Sequence, residues 1–167
     1  MRVKIVGANA SQKKHITAMV KFCAKKLMPR IKDLDITVKV ATLTDAYGYC
    51  LSNEEIFTDR PRTFEIEVHR GMRLRRLLEV LAHEMVHVKQ YARGELYVGS
   101  RNAKHRWQGK WISDNLNYWD HPWEIEAHGR ESGLFIQYAE QNDLGKYKWT
   151  YDICLLYTSD AADDGLS

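Results

Sequence analysis

The run His83-Glu84-Met85-Val86-His87 commits the centre of this chain to a helix. Histidines four residues apart share one face of a helix, where both imidazoles can reach a single metal ion. Glu84, one step round, is then placed to draw a proton from a water at that ion. The flanking residues keep the helical period. Leu74, Leu77, Leu78, Leu81, Met85 and Val88 form one apolar stripe, taking about 100° per residue. His83 and His87 point well over a right angle away from its centre, on the side of Arg76 and Gln90. Two histidines there suit a cleft floor better than a core; simple surface exposure is the competing reading.

A hydrolytic zinc takes three protein ligands and keeps one position for water. The downstream segment Trp123-Glu124-Ile125-Glu126-Ala127-His128 offers the third. Glu124 shares a helical face with Ala127, Glu131, Phe135 and Tyr138, the side that carries the aromatics. Glu126 falls with Arg130 and Gln137, where an exposed i, i+4 ion pair explains it. Glu124 is therefore the expected ligand. His121 and His128 are competing donors, with His128 at the edge of the inner face and suited to a role behind the ligands. Glu131 can accept a hydrogen bond from a ligating imidazole, or pair with a surface lysine. Two histidines and a carboxylate also suit non-haem iron; the helix-borne spacing favours zinc.

The rest of the chain predicts an α+β fold of one domain, residues 1–153. Arg2 to Val6 reads as a short strand. Ser11 can cap a helix to about Met28, with Ile16, Met19, Val20, Cys23 and Leu27 at helical spacing. Ile36, Val38 and Val40 alternate in a strand from Asp35 to Leu43, and Tyr47 to Leu51 and Phe64 to Val68 read as two more. The motif helix follows Gly71 and stops at Gly94. Residues 94–121 show no helical stripe, and Trp107 to Ile112 reads as a short hairpin. A last helix, capped by Asp120 or His121 with Pro122 in its first turn, runs to about Gln141.

Taken together, the residues resemble the gluzincins, zinc peptidases with His-Glu-x-x-His on one helix and a ligand glutamate on a later one. Small SprT-like or ImmA-like metallopeptidases, of the kind phages carry, are the nearest look-alikes. Their later helix often carries Glu-x-x-Ala, matched by Glu124 to Ala127. The resemblance covers roughly Thr63 to Tyr138. It implies a zincin-like fold, a small mixed sheet packed on the motif helix, with Phe64 to Val68 as the edge strand lining a substrate cleft. Two departures stand out: no cysteine pairs for a zinc ribbon, and no third histidine of the metzincin type.

The expected activity is zinc-dependent peptide-bond hydrolysis. His83, His87 and Glu124 hold Zn2+, and Glu84 is the general base that passes its proton to the leaving amine. Tyr91, Tyr118, His121 and His128 are candidate donors to the oxyanion. The partner is a protein or peptide substrate. The net charge is +3 and clustered: Lys13, Lys14, Lys21, Lys25, Lys26, Arg30 and Lys32 lie in or near the first helix, and Arg70, Arg73, Arg75 and Arg76 precede the motif. A solvated helix face accounts for such charges more readily than nucleic acid. Two alternatives follow from them: a nucleic-acid-associated binding protein with a structural zinc, or a protease acting on DNA-bound proteins.

No run of apolar residues is long enough for a membrane span. Three cysteines make no disulfide framework, so the chain reads as cytoplasmic, in the host cell if phage-encoded. Cys154 to Asp163 resembles, residue for residue, a translated transposase adapter used in sequencing libraries. Residues 154–167 are therefore expected to be a non-native tail after a natural protein cut near Ile153.

Overall fold

The computed structural model describes residues 1–52, 59–99, 104–113 and 115–151; the expected adapter tail, residues 154–167, lies outside them. Strand β1 (Arg2–Val6), helix α1 (Ala10–Leu27), and strands β2 (Asp35–Ala41), β3 (Gly48–Ser52) and β4 (Thr63–His69) lead to helix α2 (Leu74–Ala92). Strands β5 (Leu96–Val98), β6 (His105–Trp107) and β7 (Lys110–Trp111) follow, then helix α3 (Pro122–Gln141). The architecture is α+β: a mixed four-stranded sheet, a small antiparallel sheet, and α2 packed against α3.

The large sheet runs β1-β2-β4-β3, with β1, β2 and β4 parallel and β3 antiparallel to β4. Alternation in β2 and β4 gives each one buried face. Ile36, Val38 and Val40 stand in register with Phe64, Ile66 and Val68, and all six are buried with α1 and α2. Branched and aromatic side chains fill such a pleated face well. The opposite face carries polar pairs such as Lys39 with Glu65.

The expected edge strand is corrected here. Phe64 to Val68 lies inside the sheet, flanked by β2 and β3, and β3 is the edge beside α2. Alternation reports one buried face; it carries no information on how many neighbours pair with the strand.

Helix α1 is capped by Asn9 rather than Ser11. Its Oδ1 accepts from Gln12 N at 2.9 Å while Gln12 Oε1 accepts from Asn9 N at 3.2 Å. This reciprocal box satisfies two amides at once, which a serine two residues later has no partner to match. Helix α2 ends at Gly94 (φ +70°), where Glu95 N reaches Gln90 O at 2.8 Å and Gly94 N reaches Tyr91 O at 2.9 Å.

Helix α2 is buried without a break from Leu77 to Gln90. The sheet and α1 cover one side and α3 the other, so the side away from the leucine stripe is no free surface. Between the helices, the 107–112 hairpin forms as β6–β7, turning through Gln108 (φ 46°) and Gly109 (φ 83°). Positive φ at both positions suits a two-residue hairpin turn. Strand β5 was not expected: three residues are too few to display a period. No helix among the described residues is long and apolar enough to cross a membrane.

Candidate metal centre

Helix α2 places His83 and His87 one turn apart, and α3 brings Glu124 onto them in its own first turn. His83 Nε2 lies 3.1 Å from His87 Nε2 and 3.3 Å from Glu124 Oε2, and His87 Nε2 lies 3.5 Å from Glu124 Oε1. Tetrahedral bonds of about 2.0–2.1 Å would space ligand atoms roughly 3.3 Å apart. The two nitrogens stand near that spacing from each other, and each stands near it from one oxygen of the Glu124 carboxylate.

Their hydrogen-bond partners decide which atoms carry protons. His83 Nδ1 lies 3.0 Å from Glu131 Oε2, a carboxylate that can only accept. His87 Nδ1 lies 2.8 Å from Gln90 Oε1. The Gln90 amide is oriented by its other end, where Nε2 donates to Trp123 O at 2.9 Å and to Glu126 Oε2 at 3.1 Å. Each imidazole therefore carries its proton on Nδ1 and turns an Nε2 lone pair inward. Two lone pairs and a carboxylate meet at one point, which calls for a proton or a cation.

Without a cation the proton is held tightly. Burial opposes charge on His83, but hydrogen bonds to Glu124 and Glu131 outweigh it and push its pKa up to about 9. Burial likewise opposes charge on Glu124, yet His83, His87 and Tyr118 hold its carboxyl well below the usual range.

His128 is a fourth donor around the same centre. His83, Glu124 and His128 offer ligand atoms all within 4.8 Å of one another. The His83–His87–Glu124 separations, 3.1 to 3.5 Å, are close to tetrahedral edges. His128 shares Glu131 with His83, its Nδ1 3.3 Å from Glu131 Oε2, its Nε2 3.4 Å from the Tyr118 hydroxyl and its ring 4.4 Å from that of His83.

Glu84 is buried, and burial raises its pKa to about 7, with His87 and His83 opposing. Its carboxylate lies against the edge strand. A Cβ on Gly48 would stand 2.6 Å from Glu84 Oε1 and 2.7 Å from Val80 Cγ1, so only glycine lets β3 approach this closely. Gly48 was not singled out from the sequence, although a glycine inside a strand pattern is itself a signal of close approach.

Of the candidate oxyanion donors, Tyr118 stands nearest, in a single 3-10 turn before α3. Its hydroxyl donates to Glu124 Oε2 at 2.7 Å, and burial together with Glu124 raises its pKa. The His121 ring stacks on Trp123 at 4.5 Å, and Tyr91 packs against the core.

Two expectations change. Glu126 does pair with Arg130 at 3.0 Å, but it also takes Lys89 Nζ at 2.7 Å, a lysine that is itself buried. An exposed helix pair is thus only part of its environment, because α2 sends a charge across to it. Several arginines before the motif are paired within the fold, Arg75 and Arg76 half-buried and Arg70 from an exposed position. Arg75 holds Glu79 and Thr150 O, Arg76 holds Glu131, and Arg70 holds Val40 O.

No family model, curated protein or solved structure matches this chain. Fold and site alone define its class: an α+β protein with a His/His/Glu group between α2 and α3 that could hold a metal ion.

Proposed function

We propose that this protein is a zinc-dependent metallopeptidase of zincin-like, gluzincin type, with His83, His87 and Glu124 as metal ligands and Glu84 as general base. The observation that carries it is the convergence of two Nε2 lone pairs and one carboxylate at tetrahedral spacing, beside a buried glutamate. Zinc bound there would supply a Lewis acid that polarises a carbonyl and acidifies a water.

The chain's own residues supply the rest. Glu84 takes a proton from the attacking water and returns it to the leaving amine; a pKa near 7 suits both transfers. Tyr118, held protonated, would donate to the oxyanion by turning its single O–H away from Glu124 Oε2. Strand β3 offers the backbone for an extended substrate. His69 N donates to Tyr47 O at 2.8 Å, so ladder alternation turns the N–H and C=O of Gly48, Cys50 and Ser52 away from β4. A peptide pairing along that edge would pass Glu84 at Gly48, with affinity drawn from main chain rather than sequence.

Metal content by mass spectrometry tests the site. One equivalent of zinc is expected in wild type, lost in His87→Ala and Glu124→Ala and retained in His128→Ala. Retention in His87→Ala with loss in His128→Ala and Glu124→Ala would move the site to His83, Glu124 and His128; a folded wild type that takes up no zinc would end the proposal. A peptidase screen with Glu84→Gln as control then tests the chemistry.

A second reading rests on α1, which has no acidic residue and leaves Lys13, Lys14, Lys21, Lys25 and Lys26 exposed. It makes the protein a protease for DNA-bound proteins. Salt-dependent DNA binding that persists in Glu84→Gln would support it. Absence of DNA binding would remove it, along with the binding-module alternative.

A further inference from the structure

The two histidines of the centre are backed unequally. His83 is held by Glu131, which can only accept, so its proton has one place to be. His87 is held by Gln90, whose amide has an accepting and a donating end. Turned over, that amide would present N–H to His87 Nδ1. The proton of His87 would then move to Nε2 and block the metal.

Gln90 is fully buried, so no water is at hand to settle its orientation. Its Nε2 faces two acceptors, Trp123 O and Glu126 Oε2, and turning over would set oxygen against both. Glu126 is kept as a carboxylate by Lys89 Nζ at 2.7 Å and Arg130 Nε at 3.0 Å. Lys89 is anchored in turn by Glu95 Oε2 at 2.6 Å, just past the end of α2.

We propose that Glu126 and Gln90 are positioning residues of the metal centre. Glu126, braced by Lys89, holds the Gln90 amide in the one orientation that keeps the His87 proton on Nδ1 and its Nε2 lone pair on the ion. The two glutamates of Glu124-Ile125-Glu126 then serve one metal in different ways, one by binding it and one by orienting a ligand on the facing helix. The inference rests on the assignment of His87 as a ligand.

The test uses the full chain and two readouts. Long-range 1H–15N NMR of the metal-free protein reports the His87 tautomer, and chelator competition reports zinc affinity. Wild type is expected to carry the proton on Nδ1. Glu126→Gln, a small change for folding, is expected to populate the other tautomer and weaken zinc about 10-fold, and Gln90→Leu about 10- to 100-fold. Unchanged tautomer and affinity in Glu126→Gln would overturn the proposal. A wild type that binds no zinc would overturn both readings, whereas zinc binding with an unchanged His87 tautomer in Glu126→Gln would overturn this one alone.

Discussion

The half of the molecule built from α1 and the four-stranded sheet is buried through apolar side chains, whereas the α2–α3 seam is buried through charges. Among the described residues, every buried polar or charged side chain except Thr150 stands on α2 or α3. In the first half, Ile16, Met19, Val38, Phe64 and Ile66 meet through contacts that need no particular direction. In the seam, His83, His87, Lys89, Gln90 and Glu124 each depend on a specific partner. Truncation in the first half leaves a cavity. Truncation in the seam leaves a buried group without its complement, a cost with no counterpart in the first half. One region contributes mainly stability; the other gives up some of it to hold a site.

The sharpest way to separate the two is Glu84→Gln. Peptidase activity is expected to fall by about 100- to 10,000-fold, the usual worth of a general base. Zinc content should remain and the melting temperature should hold or rise, because a buried charge is removed. A large loss of stability instead would make Glu84 part of the scaffold. Phe64→Ala is the mirror experiment. It should cost about 3–5 kcal/mol of unfolding free energy by denaturant titration, with zinc affinity of the folded fraction unchanged. A parallel loss of zinc would mean that the two regions are one unit.

Gly48→Ala sits on the boundary and has an intermediate effect. The added Cβ meets Glu84 Oε1 and Val80 Cγ1 inside contact distance, so β3 must shift. Overpacking of this kind costs about 1–3 kcal/mol. Activity should fall more than zinc affinity does, since the proposed metal ligands stand on helices and the shift is in the strand. Equal losses would place β3 outside the reaction.

The sequence disclosed the seam more fully than the sheet. A helix repeats every few residues, so the positions of His83, His87, Glu124 and Glu131 on their faces follow from spacing alone, and Glu131 does reach His83. Strand order is different. Whether Phe64 to Val68 is an edge depends on where the chain returns after β3, and that return is a property of the fold rather than of either strand. The Glu126–Lys89 contact was hidden for the same reason: it crosses between helices, while Glu126–Arg130 is local and visible. Asn9 with Gln12, three residues apart, is by contrast a local pair that spacing alone makes legible.

The smallest effect is a pH dependence centred on the seam, where His83 is held protonated; burial in the other half lowers His15 from 6.5 and so acts at lower pH. In the metal-free protein His83 has its pKa raised from the ordinary 6.5 to about 9, burial opposing and Glu124 and Glu131 prevailing. A group that binds its proton more tightly when folded stabilises the fold fully below its unfolded pKa. It loses that contribution as pH rises through the folded one. The melting temperature of chelator-treated protein should therefore drift down between about pH 6.5 and 9. Zinc reverses the sign. It needs the same nitrogen unprotonated, so proton competition fades across that interval and the zinc-loaded protein should gain melting temperature as the metal-free form loses it. Phe64→Ala should lower both curves without changing either slope, since it removes no charge. A flat metal-free curve would mean that Glu124 and Glu131 do not hold His83 as the geometry shows, and two curves of the same slope would mean that the metal binds elsewhere.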